Sequence, residues 1–229
     1  EIPSYNGETD IKSCYNGLNN SMSIKIASGF FDNGKINNLP TMIGMLLLLD
    51  GKTGAPMCVM DGSLITGIRT GAAGAVSSKL LAREDARTVA VIGGGGQARM
   101  QIYGLCQFRD IQRIQVFSPY PDELLSYKED VEKETGREVV ICSTVSEAME
   151  NADIAVSTTP SKEYLVSGDL VKPGMHIVAV GADMPGKNEW DPAIFKGAKV
   201  VNDSISQCLS RGETRNAVLA GVNKEEDIY

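Results

Sequence analysis

Apolar and polar positions divide this chain into two parts with different rhythms. From Thr88 onward, short apolar runs alternate with longer stretches of helical spacing. Strands are predicted at 88–93, 113–117, 138–142, 153–157, 175–180 and 198–202. Helices are predicted at 97–107, 122–135 and 144–150, with shorter ones near 192–196 and 204–211. This βαβα rhythm implies an α/β fold, a Rossmann-type doubly wound parallel sheet with helices on both faces. Pro160, Gly168 with Asp169, and Pro173 with Gly174 punctuate its second half as loops.

The first 65 residues read differently. Ser21 to Ala27, Met42 to Leu49 and Cys58 to Met60 have strand character, and Asn6-Gly7, Asn16-Gly17, Asn33-Gly34 and Asp50-Gly51 mark turns. A smaller mixed or antiparallel sheet is expected there. The segment Thr66 to Ala82, rich in alanine and other small residues, reads as one helix that lets another element approach closely. The expected organisation is 1–65 as an incomplete sheet domain, 66–87 as a connecting helix, and 88–229 as the Rossmann-type domain. Both ends read as incomplete, so a piece of a longer enzyme is expected.

Composition narrows the function classes. A formal net charge of −7 with basic residues scattered along the chain argues against nucleic acid as a partner. The apolar run Met42 to Leu49 falls far short of a membrane span, and the amino end lacks the basic and apolar regions of a signal peptide. Cys14, Cys58, Cys106, Cys142 and Cys208 are odd in number and widely spaced, which reads as reduced cytoplasmic thiols, mostly buried. The only histidine, His176, lies in an apolar run and reads as a strand residue, so no metal site is expected.

The richest stretch is Thr88 to Ala98, TVAVIGGGGQA. A β-branched run breaks into glycines and a helical stretch follows, matching the G-x-G-x-x-A form of the dinucleotide fingerprint with Gly93, Gly95 and Ala98. Gly93 would permit the turn off the strand, Gly95 the approach of a pyrophosphate, and Ala98 close helix–strand packing. The phosphates would sit on free N–H groups at the helix N-terminus. Gln97 belongs to the same loop. The second strand of this domain ends at Ser118, where NAD enzymes usually carry an acid for the ribose hydroxyl. No arginine follows to clamp a 2′-phosphate, and Asp122 and Glu123 are acidic. The expected cofactor is therefore NAD in preference to NADP.

Three further residues stand where chemistry is done. Arg69, near the start of the 66–82 helix, reads either as a surface arginine or, beside the free N–H groups of that helix, as a bidentate carboxylate site. Lys25 alternates with Ile24 and Ile26 and faces the other side of its strand, toward solvent or a cavity. Asp183 follows a strand end in the loop GADMPGKNE, as a turn cap or as an acid–base group.

Taken in order, SIKIASGFFDN, MDGSLITGIRTGAAGAVSSKLL, VIGGGGQAR, STTPS and VGADMPGKNE resemble the ornithine cyclodeaminase/mu-crystallin family over nearly the whole chain. That resemblance implies a two-domain, homodimeric, NAD(P)-dependent enzyme of amino or imino acids, with 1–65 as its substrate-binding and dimerisation domain and 88–229 as its NAD(P)-binding domain. By it, Arg69 and Lys25 would hold a substrate carboxylate and Asp183 would act at the amine. Thr158 and Thr159 would lie along the cofactor, as would Gly181 in the loop after the fifth strand. An amino-terminal segment with another substrate-binding arginine, and a carboxy-terminal segment, have no counterpart here. The arrangement Gly181-Ala182-Asp183 with Pro185, Gly186 and Lys187 looks like that of cyclodeaminases, whereas GFFDN also looks like imine-reducing relatives. The resemblance therefore implies a cyclodeaminase that makes a proline-like product from a diamino acid such as ornithine or lysine. Its rivals are an imine reductase or amino-acid dehydrogenase, and a non-catalytic, crystallin-like cofactor binder.

Overall fold

In the computed structural model, residues 2–229 are described. The chain divides into two compact units, Glu1–Arg69 and Thr70–Tyr229.

The first unit is a four-stranded antiparallel sheet in sequential order. Its strands are β1 (Gly7–Asn16), β2 (Ser21–Phe30), β3 (Met42–Asp50) and β4 (Pro56–Asp61), with one helical turn, α1 (Asn33–Ile36), between β2 and β3. The Asp50 carboxylate closes the β3–β4 turn by accepting the N–H groups of Lys52 and Thr53 at 2.9 and 2.8 Å. β1 is a strand the apolar pattern does not announce. Its sequence GETDIKSCYN has no apolar face, and most of its residues are exposed at the edge of the sheet. Full-length pairing with β2, from Gly7 opposite Phe30 to Asn16 opposite Ser21, makes it a strand. The Asn33-Gly34 pair forms the short α1 where only a turn is expected.

Helix α2 (Ser63–Leu81) begins three residues before the expected start at Thr66. The Asp61 carboxylate accepts the N–H groups of Ser63 and Leu64 at 3.1 and 3.0 Å, which caps the helix there. Those two bonds hold the carboxyl below the ordinary aspartate range.

The second unit holds a five-stranded parallel sheet in the order β7-β6-β5-β8-β9. Its strands are β5 (Thr88–Ile92), β6 (Arg113–Phe117), β7 (Glu138–Ile141), β8 (Ile154–Ser157) and β9 (His176–Ala179). Helices α3 (Gly96–Leu105), α4 (Pro121–Thr135) and α5 (Val145–Met149) make the crossovers. Side chains alternate between two cores. Val89 and Val91 pack with Ala98, Ile102, Leu124 and Tyr127 on one face, and Ala90 and Ile92 pack with Met149, Val166 and Trp190 on the other. This is the doubly wound sheet predicted from the rhythm. Strand order reverses between β5 and β8, which opens a crevice at their carboxyl ends.

Small residues set the packing of α2 against α3. A Cβ on Gly71 would collide with the Met100 main chain, and one on Gly104 would lie 3.0 Å from the Ala75 Cβ. The expected close approach of another element to this Ala-rich helix is thus met within the second unit by α3.

The carboxy-terminal part departs from expectation. Residues 198–202 form no strand; Val200 makes only an isolated bridge with Ile228. Two short helices follow, α6 (Ile205–Ser210) and the unforeseen α7 (Glu213–Leu219). The cysteines are also less buried than expected. Cys14 and Cys58 are exposed, Cys106 and Cys208 half-buried, and only Cys142 is buried; all five are free thiols. Among the described residues no helix is long and apolar enough to cross a membrane.

Candidate functional site

The carboxyl ends of four neighbouring strands converge on one set of predicted residues. Gly93 follows β5, Ser118 follows β6, Thr158 and Thr159 follow β8, and Gly181 lies two residues past β9. Gly93 has φ +108°, a conformation that favours glycine, and donates its N–H to the Phe117 carbonyl at 2.8 Å. A Cβ there would lie 2.9 Å from Thr158 Oγ1. Gly95 is the N-cap of α3 and no side chain caps it, so the first N–H groups of the helix are presented outward. A Cβ on Gly95 or Gly96 would meet nothing within 4 Å, which leaves room beside those donors. Ala98 is fully buried in the core beneath the loop, as the fingerprint demands.

These features fit a dinucleotide. Gln97 Oε1 and Thr158 Oγ1, both buried at this loop, have no hydrogen-bond partner within the protein. Buried polar atoms are seldom left so, and a bound polar ligand would satisfy them. Arg99 braces the loop from behind. Its guanidinium donates to the Gly94 carbonyl at 2.8 Å and to Ser126 Oγ at 3.1 Å, and pairs with Asp130 at 2.8 Å.

Ser118 stands at the carboxyl end of β6. It is buried, and its hydroxyl accepts the Tyr120 N–H at 3.2 Å, shaping the turn into α4. Asp122 and Glu123 stand in the first turn of α4, where carboxylates suit the helix dipole.

Asp183 lies in the loop after β9 and is exposed. Its carboxylate pairs with the ammonium of Lys187 at 2.7 Å, and the Lys187 side chain is itself largely buried. A buried cation thus fixes the carboxylate at the loop surface. His176 is a strand residue as expected, the first of β9, with its ring 3.3 Å from Ser77 Oγ. Burial pushes its pKa down to about 4, helped by Arg109.

In the first unit, Lys25 is half-buried in the middle of β2, opposite Lys12 on β1 and Leu46 on β3. Its ammonium is held below the ordinary lysine value by burial, then by Arg69 and Lys12, while Asp10 works the other way. Arg69 is not at a helix start. It is the seventh residue of α2, beyond the free N–H groups that were to assist it. Lys12 is paired with Asp10 at 2.6 Å, so what remains is the positive charge of Lys25 and Arg69, which suits a carboxylate.

Two acids escape any reading of local sequence. Glu189 is fully buried and Glu213 nearly so. Burial pushes the Glu189 carboxyl up while hydrogen bonds from Ser157, Thr159 and Gly181 oppose the rise. Glu213 is pushed up to about 7 by burial; the Glu189 N–H opposes the rise and the charge of Glu189 adds to it. The only outward sign of Glu189 is its place beside Trp190, the one tryptophan of the chain. Among the described residues no cluster of three or more His, Cys, Asp or Glu side chains is placed to hold a metal ion.

A model of the ornithine cyclodeaminase/mu-crystallin family matches residues 2–228. The chain belongs to this family. It is 37% identical over 194 residues to the alanine dehydrogenase of Archaeoglobus fulgidus, a match covering 83% of this chain and 58% of that protein. Among solved structures it resembles the Delta(1)-pyrroline-2-carboxylate reductase of Thermococcus litoralis, in complex with NADH and L-proline, with a TM-score of 0.86 and 29% identity. That likeness covers 99% of this chain and 75% of the reductase. A lysine cyclodeaminase that recognises L-lysine, L-ornithine and L-2,4-diamino butyric acid superimposes with a TM-score of 0.83 and 27% identity, over 97% of this chain and 67% of its own. The family expected from the ordered motifs is therefore the family found, and these relatives include enzymes of both redox and cyclodeaminating type.

Proposed function

We propose that this chain belongs to an NAD-dependent enzyme that moves a hydride at the α-carbon of an amino or imino acid. The observation that carries the proposal is the glycine cradle. It has an uncapped helix N-terminus, open space at Gly95 and Gly96, and two unsatisfied polar atoms from Gln97 and Thr158. Gly93, Gly95, Gln97, Ala98, Thr158, Thr159 and Gly181 would hold the cofactor, with Ser118 shaping the adjoining turn. A bound NAD would supply hydride acceptance or donation at the substrate α-carbon. Arg69 and Lys25 supply positive charge for the substrate carboxylate, and such a fixed anchor orients the α-carbon.

Within that chemistry the loop Gly181 to Lys187 favours a cyclodeaminase acting on ornithine or lysine. Oxidation at the α-carbon leaves an iminium; the distal amine attacks that carbon, ammonia departs, and reduction gives the cyclic, proline-like amino acid. Asp183 would accept the proton from the attacking amine and return one to the leaving ammonia. The cofactor ends each turnover in the state in which it began. The likeness to a pyrroline-carboxylate reductase and an alanine dehydrogenase favours a second reading, a reductase or dehydrogenase with the same anchors and net consumption of cofactor. In either case a homodimer is proposed through the first unit, whose sheet leaves Ile11, Met57 and Val59 more than half exposed. A soluble enzyme of the cytoplasm, free of nucleic acid and membrane, fits the charge and the apolar pattern.

The test is a panel assay of the whole enzyme with diamino acids, and with 2-oxo or cyclic imino acids. Ammonia release from ornithine or lysine without net NADH establishes the cyclodeaminase. A steady change in NADH absorbance with an imino acid establishes the reductase, and no turnover with any member removes both.

A further inference from the structure

The parallel ladder between β8 and β9 ends where Ser157 lies opposite Ala179. Beyond that point the two chains, one carrying Thr158 and Thr159 and the other Gly181, are joined through a single carboxylate. Glu189, with no exposed surface, accepts the Thr159 N–H at 2.5 Å, the Ser157 hydroxyl at 2.7 Å and the Gly181 N–H at 2.8 Å. The fit is close enough that a Cβ on Gly181 would collide with the Thr159 main chain and lie 2.6 Å from the Glu189 carboxyl carbon.

Glu189 is itself held in place. Its carbonyl accepts the N–H groups of Leu165 and Val166 at 2.8 and 3.1 Å, and its N–H donates to Glu213 Oε1 at 2.6 Å. The indole N–H of the buried Trp190 donates to Ser157 Oγ at 2.7 Å, which completes the network. Burying a carboxylate costs more than burying apolar side chains of similar volume, so stability alone does not account for an acid at this point.

The clip grips the residues on either side of Thr158, the side chain of Ser157 before it and the main chain of Thr159 after it. Thr158 Oγ1 lies against Gly93 and is buried without a partner in the protein. We infer that Glu189 is a positioning residue for the cofactor, its carboxylate setting the Thr158 hydroxyl and the Gly181 main chain at the height a dinucleotide needs. It touches no reacting atom. The inference rests on the glycine loop being the NAD site.

The test is NADH titration of the whole enzyme by fluorescence, with steady-state kinetics alongside. Glu189→Gln keeps the volume but turns an NH₂ toward a backbone N–H. NADH affinity should fall about tenfold, as for loss of one hydrogen bond to a charged group, while KM for the amino or imino acid stays within about twofold. Thr158→Val should lose affinity to a similar degree. The double variant should lose less than the sum of the two single losses, because both act in part through the Thr158 hydroxyl. Emission of the sole tryptophan, Trp190, reports whether each variant keeps the native network. Ser157→Ala, which removes one of the three bonds, should weaken NADH binding less than Glu189→Gln and decides the matter should the latter not fold. Wild-type NADH affinity in a folded Glu189→Gln, or in Ser157→Ala if that stands alone, overturns the inference, as does full additivity with Thr158→Val. Gly95→Asp separates this from failure of the site itself, since a carboxylate in the cradle should abolish NADH binding. If Gly95→Asp binds as the wild type does, the cofactor site is misplaced and the inference falls with it.

Discussion

Glu213→Gln should change how stability depends on pH, and the sign can be worked out from the structure. Glu213 lies buried at the start of α7, and its carboxyl is pushed up to about 7 from an ordinary 4.5. Between those values the native state holds a proton that the unfolded chain has lost. Its contribution is therefore complete below about 4.5 and is lost as pH rises toward 7. A displacement of that size is worth about 3 kcal/mol. His176 works in the opposite direction. Its pKa is lowered to about 4 from 6.5, so its contribution is present above 6.5 and lost as pH falls toward 4. In the wild type the His176 slope opposes that of Glu213 and that of Glu189, whose carboxyl is raised too. Glutamine keeps the acceptor for the Glu189 N–H and carries no charge, so the Glu213 slope alone disappears. Urea unfolding of both proteins from pH 4 to 8, followed by Trp190 emission, gives the difference in stability directly. Relative to the wild type, the variant should gain about 3 kcal/mol between pH 4.5 and pH 7.5. A stability difference that is constant across that range would refute the reasoning, because it would mean that Glu213 titrates alike in the folded and unfolded chains.

Asp183→Asn should leave NADH affinity within a few-fold while lowering turnover by about two orders of magnitude, as for loss of an acid–base group, and near-normal turnover would remove Asp183 from the chemistry. Arg69→Lys keeps the charge and loses the planar fork, so kcat/KM for the amino or imino acid should fall with NADH affinity unchanged; an unaltered kcat/KM would return Arg69 to the surface. Paired titrations with both cofactors should show NAD(H) preferred over NADP(H) by roughly tenfold or less, since no acid at Ser118 actively repels the phosphate. A clear NADP(H) preference would contradict that reading.

What the sequence by itself determined is whatever is written in near neighbours. Val89 to Ile92 followed by four glycines announces a buried strand and a turn that needs φ above zero at Gly93, and both are found. The sheet of the second unit follows from the same local periodicity, and so does the close packing allowed by the small residues of α2. Local pattern fails where long-range pairing makes the element. β1 has no apolar alternation and is a strand only because β2 pairs with it, whereas 198–202 is apolar enough for a strand but has no strand to pair with. The start of α2 was set by Asp61, two residues outside the helix, and this moved Arg69 away from the free N–H groups. The clip at Glu189 was decided by tertiary structure alone. Its donors come from Ser157, Thr159 and Gly181 and its anchor from Glu213, four positions that only the winding of the sheet brings together. A buried carboxylate is tolerated only where such donors meet it, and nothing in the neighbouring sequence of Glu189 shows that they do.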